Sequence, residues 1–116
     1  MPTTFRSLHD GEQELIRTLL SVAFPGRDAL VEQVSNMRGR TIDGDGSLEL
    51  RVLKGPRAAV VRRIPVEAQV EDVDRMMIHV LLHVVDGYAT ELELYRDDSR
   101  PVQGGIDPAG LEVIVL

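Results

Sequence analysis

The stretch Met76 to Arg96, MMIHVLLHVVDGYATELELYR, constrains the fold more than any other part of this chain. Two runs rich in Val, Leu, Ile and Tyr flank Asp86-Gly87, which is the pattern of a β-hairpin. Register decides where each side chain points, because a slip of one residue sends all of them to the opposite face. A two-residue loop at Asp86-Gly87 would pair Val80 with Glu93 and Leu82 with Glu91, which sets glutamates among Ile78, Val80, Leu82 and Val84. An ionised, unpaired Glu on a buried face is strongly unfavourable. A three-residue loop Val85-Asp86-Gly87, a type I turn closed by a left-handed Gly, is therefore expected. It pairs Val84 with Tyr88, Leu82 with Thr90, Val80 with Leu92 and Ile78 with Leu94. One face is then apolar. The other carries Met77, His79, Leu81 and His83 beside Ala89, Glu91, Glu93 and Tyr95, with His79 opposite Glu93.

The remaining elements follow from period and punctuation. Asp10 with Gln13 reads as a helix N-cap with a partial capping box, and Leu15, Ile16, Leu19, Leu20 and Ala23 recur at helical spacing up to Pro25-Gly26. A second helix is expected from Arg27-Asp28, with Leu30, Val34 and Met37 on one stripe and Gly39 as its stop. Leu48, Leu50 and Val52 alternate with Glu49 and Arg51 as a half-buried strand. From Ala58 the even positions Val60, Ile64, Val66, Ala68 and Val70 are apolar, but Pro65 makes that strand an edge or breaks it in two. A last strand runs from Leu111 to Leu116. The expected fold class is α+β: two N-terminal helices on one face of a mostly antiparallel sheet of about four to five strands, in a single domain spanning residues 1–116. Expected core positions are Leu50, Val52, Val60, Ile64, Val66, Ile78, Val80, Leu82, Leu92 and Leu94, packed on Leu15, Ile16, Leu19 and Leu20.

Composition narrows the functional classes. A net charge of −6 repels phosphate backbones, and 3% aromatics with no Trp leaves little for stacking bases or sugars, so no nucleic acid partner is expected. A basic protein surface is electrostatically favoured instead. No apolar run approaches the ~18 residues of a membrane span, and MPTTFRSLHD does not read as a signal peptide. The absence of Cys excludes disulfides and thiolate chemistry, and the expected location is cytoplasmic.

Motifs that carry chemistry are few. Asp43-Gly44-Asp45-Gly46 lacks the bidentate acid of a calcium loop, since Val52 falls at that position, and reads as a turn. His79 and His83 share a face but lie roughly 13 Å apart along a strand, too far for both to bind one metal ion. No metal and no cofactor is expected. Each His is placed instead to meet a Glu at about 5 Å across the ladder, a spacing for an ion pair or an acid–base pair. The candidate partner- or ligand-binding face comprises Arg51, Arg63, His79, His83, Glu91, Glu93 and Tyr95.

The runs Phe24-Pro25-Gly26-Arg27-Asp28, Pro65-Val66-Glu67-Ala68, and Leu81 to Tyr88 continuing through Glu91-Leu92-Glu93-Leu94-Tyr95-Arg96 resemble a family of small uncharacterised bacterial proteins, mainly actinobacterial, defined as a domain of unknown function. That resemblance implies no activity, cofactor or catalytic residue. The E-L-E-x-Y run is also similar to runs in small proteins near bacterial toxin systems, which implies an immunity-like binding role. A relative would carry an Asp-Gly turn where this chain has Asp74-Arg75.

Two functional classes are compatible with these residues. The first is a non-enzymatic module that uses the outward sheet face, or the apolar C-terminal strand, to bind a protein partner or a second copy of itself, because Leu53, Met77, Leu81 and Val85 stand among charges as apolar anchors do at interfaces. The alternative is a small-molecule-binding protein or enzyme with His79 or His83 as base, oriented by Glu93 or Glu91, and Arg51 or Arg63 holding an anion. A concavity over that face distinguishes the second from the first.

Overall fold

The computed structural model describes residues 4–116. Its elements run β1 (Arg6–Ser7), α1 (Asp10–Leu19), α2 (Arg27–Val34), β2 (Met37–Thr41), β3 (Leu48–Val52), β4 (Val66–Glu71), β5 (Met77–Val85), β6 (Tyr88–Arg96) and β7 (Glu112–Val115), with a short 3-10 turn at Pro108–Gly110 before the last strand. All seven strands join one antiparallel sheet in the order β1-β2-β3-β6-β5-β4-β7. The expectation of an α+β fold with four to five strands is thus overturned. The described residues are mostly sheet, with seven strands and two short helices among them.

The difference comes largely from the segment after α2. Met37 stands three residues beyond Val34 and so prolongs a helical stripe on paper. The helix instead stops, Leu53 N–H donates to Asn36 O, and Met37 pairs with Val52 at the start of β2. Met37 is buried in the sheet, not against it. At the other end, α1 begins one residue earlier than its Asp10 suggests, because the Glu12 carboxylate accepts the His9 N–H at 2.8 Å. Leu15, Ile16, Leu19 and Leu20 are buried on the sheet with Leu30 and Val34 of α2.

Pro65, which has no N–H to donate, marks the beginning of β4. The strand expected from Ala58 is confined to Val66–Glu71, and residues 57–65 run irregularly beside it. Of the expected core, Val52 and Val60 are only partly buried and Ile64 is half-buried, while the other positions are covered as expected.

The central hairpin corrects the expected turn. Asp86 and Gly87 form a two-residue loop with φ of 53° and 85°, the conformation of a type I′ turn, and Val85 pairs with Tyr88. A β-bulge follows, with Thr90 the extra residue, after which His83 pairs with Glu91, Leu82 with Leu92, Val80 with Leu94, and Ile78 with Arg96. The bulge supplies the residue that the shorter loop omits. From Glu91 onward the faces come out as expected, but before the bulge they are exchanged: Ala89, expected on the open face, is buried opposite Val84, and Tyr88 pairs with Val85. Each pair beyond the bulge is displaced by two residues, so that His79 lies opposite Tyr95 and not Glu93.

A side chain from α2 holds this turn. Gln33 is fully buried; its Nε2 donates to Pro56 O and to Gly87 O, both at 2.8 Å, and its Oε1 accepts the Ala89 N–H at 3.1 Å. The Ala58 N–H donates to the same Gly87 carbonyl at 2.8 Å. A Cβ on residue 87 would stand 3.0 Å from Arg57 Cβ and 3.1 Å from Ala58 N, so closeness and positive φ both require Gly there.

Candidate functional site

Both helices cover the face formed by the even-numbered residues of β5 and, beyond the bulge, of β6, together with Ala89 opposite Val84; the odd-numbered side chains of β5 and of β6 from Glu91 onward stand on the other face. Across β7, β4, β5 and β6, that open face carries a row of Ile114, Glu67, Leu81 and Glu93. The next row runs Glu112, Gln69, His79 and Tyr95.

His83 is the best-connected of the candidate residues. Its Nδ1 accepts the Arg63 Nε–H at 3.2 Å, so Nε2 bears the ring proton and donates it to Glu93 Oε1 at 2.8 Å. Glu91 lies directly across the ladder from it. Arg63, His83 and Glu93 are thus chained in the neutral Nε2–H tautomer, with the ring held between a cation and a carboxylate. One ligand atom each from His83, Glu91 and Glu93 lies within 4.8 Å of the others, which is close enough to hold a metal ion. The hydrogen bonds oppose that use: a ligating His normally donates from its second nitrogen, whereas here Nδ1 accepts from a guanidinium.

His79 belongs to a separate group. Its ring stacks on Tyr95, with centroids 4.9 Å apart and planes at 17°, and its Nε2 meets the Asp97 carboxylate. The expected His79–Glu93 pair is replaced by His79–Asp97 and His83–Glu93, as the displaced register dictates. Tyr95 is exposed, and its phenol is pushed up by desolvation and then by the carboxylates of Glu67, Glu93 and Asp97. Arg51 stands apart on β3, its guanidinium 4.2 Å from the Phe5 ring centroid, with Arg40 over the same ring at 4.8 Å.

The strongest ionic cluster was not among the candidates and lies on the covered side. Arg96 is 2% exposed and makes five hydrogen bonds, one for each N–H of its guanidinium. They go to Asp98 at 3.0 and 2.7 Å, to Asp72 at 2.9 Å, and to Asp74 at 3.1 and 2.8 Å. Asp72 also accepts the N–H groups of Gln103, Gly104 and Val73 at 2.7, 2.8 and 2.8 Å. Its carboxyl is held at about 2, chiefly by the Gln103 N–H against the cost of burial; Asp98 is held at about 2 chiefly by Arg96. The signal in the sequence was parity. An Arg on the same alternation as Leu92 and Leu94 must either be buried and paired or break the pattern.

Two of the clefts border the irregular segment, and Arg63 of the His83 group reaches one of them. One of about 270 Å³ is lined by Phe24, Pro25, Val61, Pro65, Val115 and Leu116 among others, and a neighbouring one by Arg62, Arg63, Ile64 and Leu116. Neither is lined by His79, His83, Glu91 or Glu93. No helix among the described residues is long and apolar enough to cross a membrane.

A model for the family described as Domain of unknown function (DUF6984) matches residues 5–104. The chain belongs to this family. No curated protein and no solved structure matches it. The DUF6984 match takes in β1 to β6 and the loop that reaches Asp72, whereas the 3-10 turn and β7 lie beyond it.

Proposed function

We propose that this DUF6984 chain is a cytoplasmic bacterial module, non-enzymatic, that binds a basic protein surface with the open face of its sheet. The observation that carries this reading is the ring of carboxylates, Glu67, Glu91, Glu93 and Asp97, around the apolar and aromatic anchors Leu81 and Tyr95. The response of the Tyr95 phenol to three of those carboxylates supports a negative potential there. Apolar anchors within a charged rim suit a partner with a Lys/Arg-rich surface around a hydrophobic spot, with electrostatics setting the rate of encounter and contact with Tyr95 the lifetime. An immunity-like role, in which such a partner is neutralised by being covered, is the biological form that fits.

The test is affinity capture from the source organism, followed by titration of the captured protein with the native chain and with a Glu67→Lys/Glu93→Lys/Tyr95→Ala variant. The expected result is binding that weakens as salt is raised and is lost in the variant. Equal binding by the variant would remove the open face from the proposal. The His83–Glu93 hydrogen bond at 2.8 Å favours acid–base chemistry as a second reading. Ligand-induced shifts of the His83 ring resonances in a metabolite screen, without any protein partner, would favour that reading instead.

A further inference from the structure

The two edges of the sheet are unlike. β1 is two residues long and carries Arg6, which ion-pairs with Glu12 of α1 at 2.7 Å. β7 is an uninterrupted Glu-Val-Ile-Val strand that pairs only with β4. It has no Lys, Pro or bulge of the kind that keeps edge strands from pairing with one another. Val115 and the following Leu116 are 45% and 46% exposed.

The hydrogen-bonding sense of β7 is set by its neighbour. Leu116 N–H donates to Pro65 O at 3.0 Å, and in an antiparallel ladder alternate residues turn both backbone groups the same way. Glu112 and Ile114 therefore bond toward β4, while Val113 and Val115 direct N–H and C=O away from the sheet. We infer that this edge pairs with the same edge of a second copy, antiparallel, about a twofold axis at Ile114. Val113 of each copy then exchanges hydrogen bonds with Val115 of the other, four bonds in all. The register shifted toward Leu111 is disfavoured, because the Leu111 N–H is already given to Pro108 O.

Side chains agree with that register. Ile114 meets its own copy on the open face, and Val113 meets Val115 on the covered face. Glu112 is set opposite Leu116, beside Arg62 and Arg63, which line a cleft with that leucine. Arg62 makes no ion pair among the described residues, so the partner's carboxylate gives it one. The two copies of Glu112 stay at opposite ends of the ladder. Charge complementarity and backbone polarity thus select a second copy over an unlike strand. A four-residue edge buries less than the ~1,200 Å² of standard interfaces, so the dimer is weak and concentration-dependent. In-sheet pairing keeps both open faces on one side, doubling the surface described above without depending on it.

Sedimentation equilibrium from low micromolar to millimolar protein tests the inference. The native chain is expected to rise from monomer mass to dimer mass. Val115→Pro removes an outward N–H and none that β4 uses, and Ile114→Lys places like charges at the twofold axis; each should stay monomeric with an unchanged far-UV spectrum. Arg62→Glu should weaken the dimer about tenfold, and adding Glu112→Arg should restore it, a rescue that a merely sticky strand would not show. The charge pair decides the matter if either strand variant fails to fold. A native chain that stays monomeric, assemblies larger than a dimer, or a dimer indifferent to Val115→Pro would each overturn the pairing.

Discussion

Two ionic groups near the β5–β6 hairpin use the same chemistry in opposite settings. Arg96 sits on the covered face with every N–H engaged by three aspartates, while Arg63, His83 and Glu93 form a chain on the open face that remains partly accessible to water. A buried cation that has given up water needs all its donors matched, since an unmatched one leaves an uncompensated charge in the interior. A half-solvated chain can lose a member and recover hydration. The first group is therefore architecture: it ties the β4–β5 turn to the loop after β6 through Asp72, Asp74 and Asp98. The second can rearrange when something docks on it.

The largest test of that contrast is Arg96→Leu, which leaves three carboxylates together without their cation. The thermal midpoint by circular dichroism should fall by about 10 °C or more, or the fold should be lost. Arg96→Lys should recover only part of this, because an ammonium cannot replace the five-donor fork. If either variant melts like the native chain, the cluster is not structural.

Acid gives the next effect. Asp72 and Asp98 have folded values near 2, below the ordinary 3.8. Their contribution is therefore complete above the unfolded value and disappears as pH falls through the folded one. Denaturant midpoints measured from pH 5 to pH 2 should decline mainly between about pH 4 and pH 2, and Asp72→Asn should flatten part of that decline. The tie would not be ionic if the profile were the same in both.

Smaller still is the turn that positions Asp72 and Asp74. Arg75 adopts a φ of 70°, the conformation in which a glycine would be unstrained. Arg75→Gly should raise stability by about 0.5 kcal/mol, relief of strain being partly offset by the more flexible unfolded chain. Last comes the open face. Glu93→Gln should change unfolding free energy by only ~0–1 kcal/mol in the same denaturant titrations. A cost above about 2 kcal/mol would show the His83 chain to be as structural as the Arg96 cluster, and so end the contrast.

Alternation made the faces legible: Ile78, Val80, Leu82, Leu92 and Leu94 share the covered side as their spacing requires. Pairing was less legible, because Thr90 carries no Gly or Pro to announce its bulge, and from Glu91 onward a two-residue loop plus a bulge preserves the same faces as a three-residue loop. Those alternatives put different carboxylates beside each His. The candidate site was thus readable as a set of residues but not as a set of contacts. Met37 misled for a related reason, since its spacing from Val34 suits a helix stripe while its role is in β2. At Asp74-Arg75, where an Asp-Gly turn was expected of a relative, Arg75 itself takes the positive φ that a glycine would adopt without strain. Gln33 was invisible: a polar residue beside Val34 looks solvent-facing until the turn it serves is known.

Gln33 also orders events in time. Its bonds to Gly87 and Ala89 span 54 and 56 residues of chain, so closing the hairpin and seating α2 are one event rather than two. Such distant closure is slow compared with forming a local turn. The Ala89 amide should thus exchange with solvent only when α2 lifts away, so a β-turn at the tip of a hairpin, ordinarily among the first places to fray, is as protected as the helix that grips it.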